Sequence, residues 1–102
     1  MIRFEWDPLK AEANVRKHRI SFEVACHVFD DPDAVVNHDR IEGGERRWQT
    51  VGMVSGVLLL LVAHTIEFEE DEAEVIRIIS ARRADRKEKQ RYEKAREENR
   101  RR

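Results

Sequence analysis

The stretch from Val75 to Tyr92 constrains the fold most, because an alternating apolar pattern changes there into a basic helical pattern. The first half is rich in β-branched residues, which is typical of a strand. With strict alternation of side chains, Arg77 and Arg82 would point to opposite faces of the sheet. An arginine among apolar residues needs a carboxylate partner, a sheet edge or a cleft, because desolvating a guanidinium is costly. We therefore expect this strand to border an anion-binding cleft.

The last fifth of the chain is a basic segment attached to an acidic body. Residues 1–81 contain 9 Lys+Arg and 16 Asp+Glu, whereas residues 82–102 contain 11 and 5. Asp85 and Glu88 have the spacing of a capping box, which predicts a helix to about Glu98. Its few apolar residues predict that its end frays. We interpret this segment as a solvated helix with internal ion pairs or as an arm for nucleic acid or an acidic partner.

The N-terminal part of the chain predicts two helices. Asp7 followed by Pro8 is typical of a helix start, and this helix should run to about His18. Ser21 is a favourable cap for a second helix that reaches about Phe29. The remaining segments predict strands, namely a short opening strand at 4–7 and longer strands at 34–41, 46–54 and 57–66.

Polar residues form a stripe along the first predicted helix. Lys10, Asn14, Lys17 and His18 fall on one side of a helical wheel, and apolar residues border the stripe on both sides. A stripe of this kind could be the rim of a binding cleft. Alternatively, the lysines extend past the core while Asn14 makes a structural hydrogen bond.

Length and composition exclude several classes of protein. A chain of 102 residues fits one domain, and its single cysteine, Cys26, excludes a disulfide framework and indicates a reducing compartment. The longest apolar run, 57–63, is too short to span a bilayer, and no signal-peptide pattern is present, so we expect a cytoplasmic protein without a membrane association. The acidic run 67–72 lacks the spacing of a calcium loop, and the histidines lack the spacing of a zinc motif. We therefore predict no metal and no cofactor.

A series of short motifs runs through almost the whole chain in a fixed order. They are F-E-W-D-P at 4–8, K-x-x-x-N-x-x-K-H at 10–18, S-F-E-x-A at 21–25, V-F-D-D-P at 28–32, G-E-R-R at 44–47, V-G at 51–52, H-T at 64–65, R-I-I-S-A-R-R-A at 77–84 and E-x-x-x-Y-E at 88–93. Each motif is weak alone. In this order and spacing, the chain resembles the BrnT family of bacterial toxins from type II toxin-antitoxin modules.

The resemblance implies both a fold and an activity. The fold would be α+β and RelE-like, with two N-terminal helices packed on a four-stranded antiparallel sheet and a C-terminal basic helix. Residues 1–102 would form a single toxin domain with a helical tail from about residue 84. The activity would be that of a metal-independent endoribonuclease that inhibits translation. A ribbon-helix-helix antitoxin would neutralise it and repress the operon with it, so that operator DNA is contacted only indirectly, through the antitoxin.

Metal-free RNA cleavage needs a general base, cations that stabilise the phosphorane and an acid for the leaving oxygen. We predict His64 as the general base, since a histidine can take and give a proton near neutral pH. The predicted catalytic residues are His64, Arg77, Arg82 and Tyr92. The predicted RNA-binding residues are Lys10, Asn14, Lys17, Arg83 and Arg86.

The sequence is also compatible with a second function. Many BrnT members carry an arginine shortly after the His-Thr pair, whereas here Ile66, Glu67 and Phe68 follow. This departure favours a catalytically weak, toxin-like binding module that binds the antitoxin and tunes repression of the operon.

Overall fold

A mixed five-stranded sheet organises the computed structural model, which describes residues 1–101. The strands follow the order β1-β5-β4-β3-β2 across the sheet. β1 is parallel to β5, and the other neighbouring pairs are antiparallel. The elements are β1 (Ile2–Glu5), α1 (Pro8–His18), α2 (Phe22–Ala25), a 3-10 turn (Cys26–Asp30), β2 (Val35–Glu42), β3 (Glu45–Val54), β4 (Leu58–Phe68), β5 (Glu74–Arg83) and α3 (Arg86–Arg100).

The α+β class is confirmed, but the predicted four-stranded antiparallel sheet is wrong. The opening strand, Ile2–Glu5, joins the sheet as a fifth strand and pairs in parallel with residues 74–77 of β5. About seventy positions separate these partners along the chain, so no local pattern indicates the pairing. The described residues form three helices, and the second predicted helix is a single α-helical turn that continues as a 3-10 turn.

The 3-10 turn lies almost in contact with β3, and Gly52 makes this approach possible. A Cβ atom at Gly52 would lie 2.8 Å from the Val28 Cγ1 atom and 2.9 Å from its carbonyl oxygen. Any larger residue would push the turn away from the sheet. The glycine therefore sets how closely this layer packs on β3.

Local capping signals are confirmed at the helix starts. The Asp7 side chain accepts a hydrogen bond from the Leu9 N–H, with proline at the first helical position, and α1 has the predicted bounds. At the start of α3, both hydrogen bonds of the capping box between Asp85 and Glu88 are present. That helix extends to Arg100, two residues past its predicted end. The segment predicted to fray includes position 102, which lies outside the described residues.

The main core lies between the sheet and the layer formed by α1, α2 and the 3-10 turn. We call this side of the sheet the helix-covered face. Its buried apolar residues are Ile20, Phe22, Ala25, Val28, Val54, Leu60, Val62, Ile76, Ile78 and Ala81. On the other face α3 crosses one end of the strands, where Tyr92 packs against Val51 and Leu61.

The other end of that second face carries the side chains of Glu45, Arg47, Gln49, Thr65 and Arg77, and we call it the open face. Thr65 and Arg77 are direct cross-strand partners, so their side chains share a face. Glu45 and Arg77 form an ion pair on this face. Since Glu45, Arg47 and Gln49 alternate along β3, all three lie on the same side of the sheet.

A β-bulge in β5 corrects the prediction that the two arginines of this strand lie on opposite faces. The register against β4 shifts by one residue at Ile79, which has no partner there. Arg77 lies opposite Thr65, and Arg82 lies opposite Leu61. Thr65 and Leu61 are four residues apart on one strand and therefore share a face. Both arginines consequently project from the face opposite α1 and α2.

Within residues 1–101, no helix is long and apolar enough to cross a membrane.

Candidate active site

Arg82, a predicted catalytic residue, binds the start of α3. Its two terminal nitrogens each donate to a Glu88 carboxylate oxygen at 2.8 Å. Glu88 also accepts from the Asp85 N–H at 2.8 Å. Burial alone would raise the pKa of Glu88, but these hydrogen bonds hold it below its usual value. The Arg82 guanidinium is therefore engaged by a bidentate partner that anchors the helix.

Tyr92, also predicted as catalytic, fixes the middle of α3 to the body of the protein. Its hydroxyl donates to Asp31 Oδ2 at 2.7 Å, and the same oxygen accepts from the Met53 N–H at 2.7 Å. Burial and the Asp31 carboxylate raise the pKa of Tyr92. The adjacent cavity of about 470 Å³ includes Asp30, Asp31 and Asp33. So many carboxylates make this cavity unfavourable for a phosphate.

His64, the predicted general base, lies on the helix-covered face and is only 1% exposed. Its Nδ1 lies 3.2 Å from the Thr65 carbonyl oxygen, which can only accept, so Nδ1 carries the proton. Its Nε2 lies 2.7 Å from the Thr50 hydroxyl, which can donate to it. The ring packs edge-on against Phe29, with centroids 4.9 Å apart. Burial lowers the pKa of His64, so the neutral form is preferred inside the core.

The polar stripe of α1 divides into a structural part and an exposed part. The Asn14 side chain is buried, donates to the carbonyls of Ile20 and Ala81 and accepts from the Ala81 N–H. This is the structural alternative considered for Asn14. Lys10 and Lys17 are exposed, as are the predicted RNA-binding residues Arg83 and Arg86.

Two of the predicted site residues come together in one cleft. Lys10 and Arg77 line a space of about 270 Å³, together with Asp7, Ile78 and Ile79. Among the described residues that line this cleft, none of the other predicted site residues is found. In this cleft, Lys10 of the first helix and Arg77 of the last strand are the predicted site residues that lie together.

A cluster on the open face joins the predicted catalytic residue Arg77 to Glu45 and Arg47, which are not among the predicted site residues. The Arg77 Nη2 donates to Glu45 Oε1, and the Arg47 Nη2 lies 3.8 Å from the same oxygen. Arg47 Nη1 lies 3.7 Å from Glu42. The Arg47 side chain is 19% exposed, and its Nε atom is buried without a hydrogen-bond partner. We call these three residues the arginine–glutamate cluster.

One member of the arginine–glutamate cluster, Glu45, borders a second cleft. A space of about 320 Å³ lies between the turn at 43–46 and residues 65–67 of β4, and Glu45 lines it. Thr65 is buried beside it. A glutamate and an arginine two positions apart in a strand, as in the G-E-R-R motif, are the signal that could reveal the cluster, because such residues share a face.

Comparison with known proteins identifies the family of the chain. The family model described as "Ribonuclease toxin, BrnT, of type II toxin-antitoxin system" matches residues 6–88, which include the whole arginine–glutamate cluster. The chain belongs to the BrnT family. The resemblance seen in the sequence motifs is thus confirmed, and a toxin of a type II module implies an antitoxin partner.

A solved BrnT structure has a similar fold. The crystal structure of the Brucella abortus ribonuclease toxin BrnT aligns with a TM-score of 0.65 at 20% sequence identity and covers 84% of this chain and 100% of that chain. At this identity the match shows a common fold and no more. No curated protein sequence matches the chain.

Proposed function

We propose that this BrnT chain is a cytoplasmic, metal-independent endoribonuclease that inhibits translation and has its active centre on the open face. The fold is proposed to be RelE-like, and residues 1–102 to form one toxin domain. The observation that carries the proposal is the arginine–glutamate cluster, in which Arg47 and Arg77 converge on one carboxylate that lines a cleft. This is the environment that a phosphodiester needs as it gains negative charge.

The arginines of the chain differ in how fully they are engaged. Arg82 uses both terminal nitrogens on Glu88. Arg77 donates to Glu45 through one terminal nitrogen, and the terminal nitrogens of Arg47 lie 3.7 Å from Glu42 and 3.8 Å from Glu45, beyond hydrogen-bonding distance. A guanidinium binds phosphate through two parallel N–H donors, so the remaining terminal donors favour Arg47 and Arg77 as phosphate ligands. Lys10, which shares a cleft with Arg77, adds a further positive charge.

A cleavage assay with purified protein tests this proposal. We expect the wild-type protein to cleave single-stranded RNA in excess EDTA, because the arginines supply the positive charge. Arg77→Ala and Arg47→Ala should each lower the rate by about 10²- to 10³-fold, as expected for loss of one charge-stabilising donor. Arg16→Ala removes an exposed arginine that pairs with Glu12 on α1 and is the matched control. Cleavage that EDTA abolishes, or that survives loss of Arg77, would contradict the proposal.

We also propose that the antitoxin is a ribbon-helix-helix protein that neutralises the toxin and represses the operon together with it. Family membership in a type II module supports a protein partner. Co-expression with the product of the neighbouring reading frame should relieve growth arrest, and the two chains should copurify. A neighbour of a different fold class that relieves the arrest would contradict the ribbon-helix-helix assignment.

The catalytically weak binding module is the second candidate. It is favoured by the glutamates around the cluster, since Glu42 lies near Arg47 and Glu67 follows Thr65 in the cleft lining. Negative charge at these positions opposes RNA. Expression of the chain alone separates the two functions: growth arrest is expected from the nuclease, whereas the module would bind the antitoxin and tighten repression without arresting growth.

A further inference from the structure

We propose that Glu45 is the general base of RNA cleavage, an assignment that rests on the proposed ribonuclease function. A base for this reaction must be accessible, unprotonated and adjacent to the cations that bind the phosphate. Glu45 lines the cleft beside the turn at 43–46 and pairs with Arg77. It is the carboxylate that both arginines of the cluster share.

The geometry leaves part of the Glu45 carboxylate available. The contacts with Arg47 and Arg77 both use Oε1, so Oε2 can face a substrate hydroxyl. The side chain is 30% exposed, which allows contact with a bound nucleotide. The turn before it, with Gly43 and Gly44 both at positive φ, is open on the outside, because a Cβ at either glycine would meet nothing within 4 Å. A single strand of RNA can therefore approach from this end of β3.

The arginine pair prepares the carboxylate for its role. Both arginines lie close to Oε1, so they hold the carboxylate in one orientation. A phosphate that enters the cluster competes for the same guanidinium donors. Its binding therefore loosens the hold on Glu45 while it brings the ribose close to the carboxylate.

The reaction step balances without a metal or a redox partner. Glu45 Oε2 takes the proton from the ribose 2′-hydroxyl, and the O2′ lone pair forms a bond to phosphorus. Arg47 and Arg77 stabilise the charge on the non-bridging oxygens of the phosphorane. The P–O5′ bond breaks, and O5′ takes a proton from water. The resulting hydroxide removes the proton from Glu45. The products are a 2′,3′-cyclic phosphate and a 5′-hydroxyl.

Other candidate bases are less well placed. His64 faces the core and is 1% exposed, so a substrate cannot reach its ring nitrogens. The Tyr92 hydroxyl donates a hydrogen bond to Asp31, at the end of the second face that α3 covers. Glu67 lines the same cleft as Glu45, but it forms no ion pair with Arg47 or Arg77 among the described residues. Glu67 is therefore the second candidate base in this cleft, and the experiment must distinguish it from Glu45.

The test uses Glu45→Gln, which keeps the shape of the side chain and removes the base. Single-turnover cleavage by Glu45→Gln should fall by about 10²- to 10⁴-fold, the range that general bases contribute. Binding of a substrate with a 2′-deoxy scissile nucleotide should be unchanged or tighter, because a negative charge beside the arginines is lost. Wild-type cleavage should also decline at acidic pH, and any residual activity of Glu45→Gln should lack this decline.

Three further variants make the test decisive. Glu12→Gln on α1 is the matched control and should cleave at the wild-type rate. Glu45→Asp keeps a base at a shorter reach and should cleave at an intermediate rate with the acidic decline retained, which also reports on folding. If Glu67→Gln loses activity while Glu45→Gln does not, the Glu45 assignment is overturned. Absence of cleavage by the wild-type protein would overturn the proposed function and this inference together.

Discussion

At the residue scale, Asn14 connects two backbone segments that are not connected by strand pairing. The pairing of β1 with β5 ends at Arg77, and further along β5 the Asn14 amide takes over, bonding both the N–H and the carbonyl of Ala81. The same amide also donates to the Ile20 carbonyl. One side chain thereby satisfies three buried backbone groups and fixes α1 on the sheet.

Asn14→Ala should therefore destabilise the protein strongly. Each buried group left without a partner costs about 1–3 kcal/mol, so we expect a loss of at least about 2 kcal/mol of unfolding free energy. Urea denaturation measures the change. Asn37→Ala is the matched control, because Asn37 is exposed on β2 and its loss should change stability by less than about 0.5 kcal/mol. Equal effects of the two substitutions would contradict this role for Asn14.

His64 should make stability depend on pH in a defined window. Burial lowers its pKa in the folded state, so the unfolded chain binds the proton more readily than the folded chain does. The stabilising contribution is therefore present above the unfolded pKa of about 6.5 and is lost as the pH falls below it. We expect the unfolding free energy to decrease between about pH 8 and about pH 5.5, a range in which carboxylates stay ionised.

His64→Gln should flatten this pH profile relative to that of the wild-type protein. Urea unfolding at several pH values gives both profiles. A slope that persists in His64→Gln would assign the effect to another group.

The roles of single residues depend on partners that are far away in sequence. Arg77 pairs with a carboxylate, one of the options that its apolar surroundings predict, but its partner Glu45 is 32 positions away. The sequence predicts that an arginine here needs an acceptor because desolvation is a local property. It cannot identify the acceptor, because the pairing depends on which strands lie side by side. The same limit applies to His64, whose type suggests a base and whose burial makes it a core residue.

At the scale of elements, local sequence signals predict where the helices start and end. They do not predict which strands pair or in which register. The cap at Asp7 and the capping box at Asp85 place α1 and α3 almost correctly. The bulge at Ile79 has no such signal, because apolar residues on both sides fit either face. That single extra residue moves Arg82 to the face of Arg77. It explains why strict alternation predicts the wrong side for one of the two arginines.

Docking of α3 depends on a few polar contacts, because Tyr92 is its main apolar anchor. Tyr92→Phe keeps the ring and removes the hydroxyl that Asp31 accepts. Hydrogen bonds to charged groups contribute about 1.5–3 kcal/mol, so we expect α3 to open more readily by about that amount. Hydrogen exchange at the amides of α3 measures the opening.

The exposed Lys94→Ala, on the outer side of the same helix, is the control for Tyr92→Phe and should leave exchange nearly unchanged. A uniform loss of protection across the sheet in Tyr92→Phe, without a larger loss in α3, would show that the hydroxyl stabilises the whole fold and not the docking of this helix.

At the scale of the whole molecule, the cations fall into two groups, namely the few arginines on the open face of the acidic body and the many cations of the basic C-terminal segment. We expect the two groups to have different roles. The body carries an excess of carboxylates, so we expect the proposed RNA binding there to depend on the few arginines of the open face. The outer side of α3 adds an exposed basic surface formed by Lys87, Gln90, Arg91 and Lys94. We expect the open face to bind the scissile phosphate and this surface to hold the rest of the strand.

Salt dependence separates these two contributions. Each phosphate contact to single-stranded nucleic acid adds about 0.7 to the slope of log Kobs against log salt concentration. Lys87→Ala combined with Lys94→Ala should therefore lower the slope by about 1.4 while the cleavage rate at saturating RNA stays unchanged. Arg77→Ala should lower the slope by about 0.7 and the saturated rate as well. If the lysine pair instead lowers the saturated rate as much as Arg77→Ala does, the C-terminal helix takes part in the chemistry and is more than a binding arm.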